Sequence, residues 1–217
     1  MSQPGVNVAI IDYDFGNVRS VANALESLGA SVQISRDKDV LQAADALILP
    51  GVGAFGDGMA NLKGFGLISI LEELVLWQKK PFLGICVGMQ LLAQTGFEGG
   101  EQAGLGWLDA EVIRLETPGL KVPHVGWNDV RTTQSSNLLG DVGAVHSYYF
   151  VHSYHLRCRD ESVITGVCEY GVEFPAVIEQ GNIFAVQFHP EKSQKHGLQL
   201  LSNFLALAQT TGSTAAC

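Results

Sequence analysis

The apolar positions follow two rhythms along the chain. From residue 7 to Cys86, short apolar runs alternate with stretches of helical spacing. "NVAIID" (residues 7–12) is a strand-like run. In "GNVRSVANALESLG", which follows it, Val18, Val21, Ala22, Leu25 and Leu28 share one helical face and Gly29 suits a stop. "SVQIS" and "DALILP" predict two more strands. "PGVGAFGDG" reads as a glycine-rich loop leading into helical stretches as far as Lys79. "KPFLGICVGMQLLAQ" (residues 80–94) opens as a fourth strand ending at Cys86 and continues as an amphipathic helix. Such alternation predicts a parallel sheet with helices on both faces.

After Cys86 the rhythm changes. "DAEVIRL", "NDVRTT", "SYYFVHSYHLRC", "SVITGVCEY", "FPAVIEQ" and "IFAVQFH" are short runs between turn residues, and predict antiparallel or mixed strands. A last helix is expected over residues 194–208, and "QTTGSTAAC" is a small polar stretch expected to fray. No internal repeat, low-complexity tract or linker interrupts the pattern. The expected architecture is one α/β domain over residues 1–210 with a frayed tail over 211–217. Its centre is a mostly parallel, flavodoxin-like sheet flanked by helices, with a small antiparallel sheet added.

Composition narrows the class. The chain has 217 residues, 47% apolar and 16% charged, which suits one compact domain with a sizeable core. Its net charge of −9 gives no electrostatic footprint for nucleic acid or an anionic membrane. No apolar run approaches the ~20 residues that span a bilayer. "MSQPGVNVAIID" lacks the basic-then-apolar order of a secretion signal, so a cytoplasmic protein is expected. Of four cysteines, Cys158, Cys168 and Cys217 read as free thiols that behave as small hydrophobes. No metal-type spacing appears, and no metal or cofactor is expected.

Cys86 is different. It sits in "GICVG", at a strand-to-helix joint between glycines. In the related G-x-S-x-G elbow a strained turn lifts a nucleophile to the end of a sheet. The N–H groups opening the next helix point at the same spot, favouring a thiolate and a developing oxyanion. A plain buried cysteine in a tight turn would look the same locally. A cysteine nucleophile needs a base, and the base needs an orienting acceptor. "FAVQFHPEKS" offers both: His189 ends an apolar strand and Glu191 lies two residues on, able to face the same side. His124 and His152 sit among aromatics and read as interface or core groups, while His146, His155 and His196 read as solvated. "PGVG" (residues 50–53) reads as a backbone oxyanion strand beside Cys86 or as a plain turn, and fits a phosphate loop poorly.

Together "PGVG", "GICVGMQLL" and "FHPEKS", in that order, resemble the class I, triad-type glutamine amidotransferases. "IDYDFGNVRSV", "KVPHVGWN" and "YYFVHSY" narrow the resemblance to the glutaminase subunits of imidazole glycerol phosphate synthases, over residues 6–207. The resemblance implies that Cys86 attacks the side-chain amide of L-glutamine, that His189 passes the proton and that Glu191 orients His189. It implies an oxyanion site from Gly51, Val52, Gly53 and Val87, and glutamine contacts from Gly53, Gln90, Ser153 and Tyr154. It also implies a separate (β/α)8-barrel cyclase subunit that receives the ammonia, faced by Asn17, Trp127, Tyr149 and Lys192. Asp14 and Phe15 depart from the family, where a glycine often precedes the hydrophobic residue. That departure leaves room for a paralogous subunit serving another synthase, such as one in surface-polysaccharide amination. Related amidotransferases of anthranilate, guanine nucleotide or pyridoxal phosphate synthesis fit "PHVGWN" and "YYFVHSY" less well. A non-enzymatic binding module would require an inert Cys86.

Overall fold

The structure, a computed structural model, describes residues 5–141 and 143–214. The expectations for Cys217 and for the end of the tail, 215–217, lie outside the described residues. The first half runs β1 (Asn7–Ile11), α1 (Val18–Ser27), β2 (Ser31–Ser35), α2 (Lys38–Ala43), β3 (Ala46–Gly51), α3 (Phe55–Gly64), α4 (Leu67–Leu71), a π-helical stretch (Glu72–Trp77), β4 (Phe82–Cys86) and α5 (Val87–Gln90). The second half runs β5 (Ala93–Gly96), β6 (Gln102–Ala103), β7 (Leu108–Arg114), β8 (His124–Thr132), β9 (Val145–His152), β10 (Tyr154–Cys158), β11 (Ile164–Glu169), β12 (Glu173–Gln180), β13 (Ile183–Val186) and α6 (Gln194–Thr214).

A nine-stranded sheet has the order β2-β1-β3-β4-β13-β12-β11-β8-β9, and a four-stranded sheet the order β10-β7-β5-β6. The α/β class and the extra small sheet are as expected, although that small sheet is mixed rather than antiparallel, because β5 pairs with β7 in parallel. The strands from β2 to β13 pair in parallel, and those from β13 to β9 pair antiparallel. Most of the second-half strands therefore extend the main sheet. The parallel strands β3, β4 and β13 are buried along their whole length, as strands covered on both faces must be. Among the described residues no helix is long and apolar enough to cross a membrane.

Several elements differ from the sequence pattern. The amphipathic helix expected after Cys86 is only the four-residue α5. Residues 81–93 are all buried, so that segment has no wet face to support a long surface helix. The backbone of residues 105–108 bonds back to Leu91, Leu92 and Ala93 and turns the chain into β5 instead. "SYYFVHSYHLRC" is two strands, because the chain changes sheets at Ser153. The loop read over "PGVGAFGDG" already becomes α3 at Phe55, and α2, capped by the Asp37 carboxylate on Asp39 N–H and Val40 N–H, was not foreseen. The last helix continues past Ala208 to Thr214.

The joint after β4 depends on two glycines. A Cβ at Gly88 would lie 1.8 Å from the Leu49 carbonyl oxygen, and one at Gly84 would lie 2.8 Å from the Gly88 carbonyl oxygen. The backbones of β3, β4 and α5 touch with no side chain between them. Gly88→Ala should therefore destabilise the fold by about 3 kcal/mol or more. Gly64→Ala, whose Cβ meets nothing within 4 Å, should stay within about 0.5 kcal/mol of the parent, both variants being measured by urea unfolding.

Candidate active site

The site forms at the carboxyl ends of β3, β4 and β13. Gly51 is the register partner of Cys86, and Val186 is the partner of Ile85 on the other side. Cys86 has φ 56° and ψ −114°, a backbone that non-glycine residues adopt only under strain of about 1–3 kcal/mol. Its side chain is nearly buried, with Sγ 3.8 Å from the Val151 carbonyl oxygen and 3.8 Å from Gln187 Nε2.

His189 lies beyond the end of β13, where the 3-10 turn Pro190–Lys192 begins. Its N–H donates to the Tyr149 carbonyl at 2.9 Å, and its carbonyl accepts from Ser193 Oγ at 2.6 Å. Ser193 Oγ in turn accepts from Tyr149 N–H at 3.0 Å. The imidazole Nδ1 is 2.9 Å from Glu191 Oε1, and both side chains are almost fully buried. The turn, rather than strand alternation, brings the carboxylate round. Glu191 Oε2 is buried with no partner among the described residues, and His189 is the partner that its Oε1 serves. Burial pulls the His189 pKa down. Its contacts with Cys86 and then with Glu191 outweigh that and raise it to about 9.

A cavity of about 310 Å³ opens on these groups. Of the residues singled out from sequence, Val52, Gly53, Cys86, Val87, Gln90, Ser153, Tyr154, His189 and Lys192 line it. Gly51 lies behind, in β3, and Glu191 lies behind His189. Gln90 is held by its Nε2, which donates to the Tyr154 carbonyl at 2.8 Å and to Gln187 Oε1 at 3.0 Å. Gly53, at φ 106°, has no room for a Cβ because the Phe15 ring would be 2.8 Å away. Asp14 takes φ 56°, and Arg36 pairs with both Asp12 and Asp14.

The four residues assigned to a partner face are not all alike. Trp127 is 48% exposed and meets Tyr149 edge to face at 6.1 Å across β8 and β9. Val125 and Val151, paired on the same face, are also exposed. Lys192 is exposed at the cavity. Asn17 stands at the start of α1 without a side-chain capping bond.

Sequence reasoning missed Glu98, Gln187, Ser193 and the role of His152 as a wall of the cavity. Glu98 lines it and accepts from Phe55 N–H at 2.7 Å, at the start of α3. Gln187 had a signal: a polar residue in "IFAVQFH", two before His189 and so on its side. His155 is buried rather than solvated, and its Nδ1 is 2.8 Å from the Leu156 carbonyl. Cys158 and Cys168 are free thiols in β10 and β11. A larger cavity of about 420 Å³, lined by His155, Cys158 and Glu173, lies away from Cys86. No group of three potential metal ligands is assembled among the described residues.

The model of the family described as "Glutamine amidotransferase class-I" matches residues 9–208. "Imidazole glycerol phosphate synthase subunit HisH" of Moorella thermoacetica is 49% identical, over 94% of this chain and 97% of its own. The protein of that name from Aquifex aeolicus is 47% identical, over 94% and 98%. A solved structure titled "Crystal structure of glutamine amidotransferase" superposes with a TM-score of 0.73 at 25% identity, over 93% of this chain and 98% of that one.

Two outcomes test the His189 environment. In Cys86→Ala the imidazole loses its leading partner, so its pKa, read by NMR titration, should fall below that of the parent. Because the folded value is raised above the ordinary 6.5 to about 9, His189 stabilises the fold fully below about pH 6.5, and that stabilisation is lost as pH rises through about 9. Unfolding free energy should decline across that window, and less so in Glu191→Gln.

Proposed function

The chain belongs to the class-I glutamine amidotransferases, in the group of imidazole glycerol phosphate synthase HisH subunits, and we propose that Cys86, His189 and Glu191 are its glutaminase triad. The observation that carries this is one constellation. Cys86, held at positive φ, and the buried His189 line one cavity, and the Glu191 carboxylate lies behind the histidine, 2.9 Å from its Nδ1.

Glutamine would enter with its side-chain amide at Cys86 and its ammonium group toward the Glu98 carboxylate. Gln90, Ser153, Tyr154 and Gly53 would line the rest of its path. Cys86 passes its thiol proton to His189 as its sulfur forms a bond to the amide carbon, and the charge on oxygen is met by backbone N–H groups at Val87 and over residues 51–53. The C–N bond then breaks as His189 gives its proton to the departing nitrogen, which leaves as ammonia. Water, deprotonated by His189, attacks the thioester. Glutamate leaves, the thiol is restored, and no net redox change occurs.

Ammonia released into water at neutral pH takes up a proton and stops being a nucleophile. A partner closing over the cavity prevents that. The partner is proposed to be the (β/α)8-barrel cyclase subunit, docking on Trp127, Tyr149, Lys192 and Asn17 and using the ammonia to make imidazole glycerol phosphate. Exposed Val125, Trp127 and Val151 beside the cavity mouth support that docking face, since aromatic and aliphatic groups anchor such interfaces.

Glutamate release is the deciding measurement. The chain alone should be slow, and a histidine-pathway cyclase subunit with its nucleotide ligand should accelerate it at least about tenfold. Cys86→Ala should remove the activity under both conditions. Activity that survives Cys86→Ala would refute the nucleophile. A folded chain that ignores a competent cyclase would move the partner to another synthase.

A further inference from the structure

Two buried histidines take no part in the chemistry above. His124 on β8 and His152 on β9 are direct partners across the antiparallel register. The Tyr154 carbonyl can only accept, so His152 Nδ1, 2.9 Å away, carries the hydrogen. His152 Nε2 is then an acceptor, and His124 Nδ1 donates to it at 2.9 Å. That leaves His124 Nε2 to accept from Asn128 Nδ2 at 3.3 Å. Asn128 Nδ2 also donates to the Glu169 carbonyl at 2.9 Å, and its Oδ1 accepts from Asp129 N–H at 2.8 Å. One backbone carbonyl sets the direction of the whole row.

Burial keeps both rings neutral, pushing His152 down to about 3 and His124 to about 4. Protonating His152 would set two donors against each other at 2.9 Å, and protonating His124 would set its Nε2–H against the Asn128 amide nitrogen at 3.3 Å. The rings are also clamped by stacking: His124 lies between Tyr170, at 4.0 Å, and Phe150, at 4.8 Å.

The inner end of the row is the cavity wall. The Tyr154 carbonyl that accepts from His152 accepts from Gln90 too, and His152, Ser153, Tyr154 and Gln90 all line the cavity. The outer end is set on the hairpin whose other face exposes Val125, Trp127 and Val151. We infer that His124 and His152 are positioning residues that hold Ser153, Tyr154 and Gln90 in register for glutamine and carry displacements of the β8–β9 hairpin into that wall. This rests on the glutaminase reading of the cavity.

Isosteric variants separate the two links of His152. Glutamine can place its amide oxygen near the old Nε2, where an acceptor is needed, and asparagine its amide nitrogen near the old Nδ1, where a donor is needed. His152→Gln keeps a contact to His124 and breaks the bond to Tyr154. His152→Asn keeps the Tyr154 bond and breaks the link to His124. The assay is steady-state glutaminase activity of the full chain, with and without the cyclase subunit. His152→Gln should raise KM for glutamine about fivefold to tenfold while kcat stays within about twofold, and His152→Asn should raise KM no more than about twofold. Asn128→Ala cuts the outer end of the row. It should keep the basal activity and lose about threefold or more of the stimulation by the cyclase. Imidazole nitrogen NMR should report both rings as neutral Nδ1–H tautomers.

Equal KM values for the two His152 variants would overturn the inference. So would a parallel collapse of kcat and KM, full stimulation in Asn128→Ala, or an Nε2–H tautomer at either ring. If His152→Gln does not fold, Asn128→Ala and the tautomers still decide. A parent chain that never releases glutamate would instead refute the glutaminase reading, and the tautomer measurement stands apart from that result.

Discussion

Cys86 is held where a side chain is least comfortable, at a left-handed backbone angle on the end of a buried parallel strand. That posture survives because its surroundings leave it no alternative. Gly88 packs against the Leu49 carbonyl, Gly51 is register-paired with Cys86, and the Tyr13 hydroxyl donates to the Pro50 carbonyl at 2.8 Å from behind. Strain at such a site is tolerated when the neighbouring structure over-determines it. The same packing sets the 50–53 segment beside the thiol. Phe15 under Gly53, and Gly16 against the Pro50 carbonyl, complete the support from the β1–α1 connection.

The second half of the chain completes the site by folding the sheet back on itself. In sheet order β9 is separated from β13 by β12, β11 and β8, yet Tyr149 on β9 exchanges bonds with His189 and Ser193 just beyond β13. Register shifts around Gly166 in the β11–β12 pair provide local bending, since bulges increase strand twist. A Cβ at Gly166 would meet Leu139, Val130 and Val177 within 3.1 Å, so the bend is tightly packed. Its product is a histidine whose backbone is tied to a strand far away in sheet order. His189 is therefore positioned by tertiary structure, although its sequence neighbour Glu191 supplies the carboxylate.

This explains which features could be read from the residues. The parallel half was legible because its strands are uninterrupted apolar runs and its main helix has a clean apolar face. "GICVG" and "FHPE" were legible because glycine spacing and the His-x-Glu pair carry their chemistry locally. The short α5 was not, since the apolar spacing of Met89, Leu91 and Leu92 suits a helix and a buried turn equally. Nor was the split at Ser153, because β-rich residues continue unbroken while the chain changes sheets. Glu98 and Ser193 carry no local signal at all. They matter only through Phe55 and Tyr149, which the fold brings to them from distant positions.

The β8–β9 hairpin joins two kinds of surface through strand alternation. Odd positions along β8 send Val125 and Trp127 outward, and even positions send His124 and Asn128 toward the core side. An apolar outer face gains by being covered, at roughly 25 cal/mol per Å² of apolar surface removed from water. An inner face of fixed donors and acceptors resists sliding, because a shift that breaks one bond leaves a buried polar group unpaired. Moving this hairpin thus costs energy inside the cavity wall and releases it outside. A contact on the exposed side is felt by Tyr154 and Gln90 because the hydrogen-bonded row of His124 and His152 between them is too tightly bonded to absorb it.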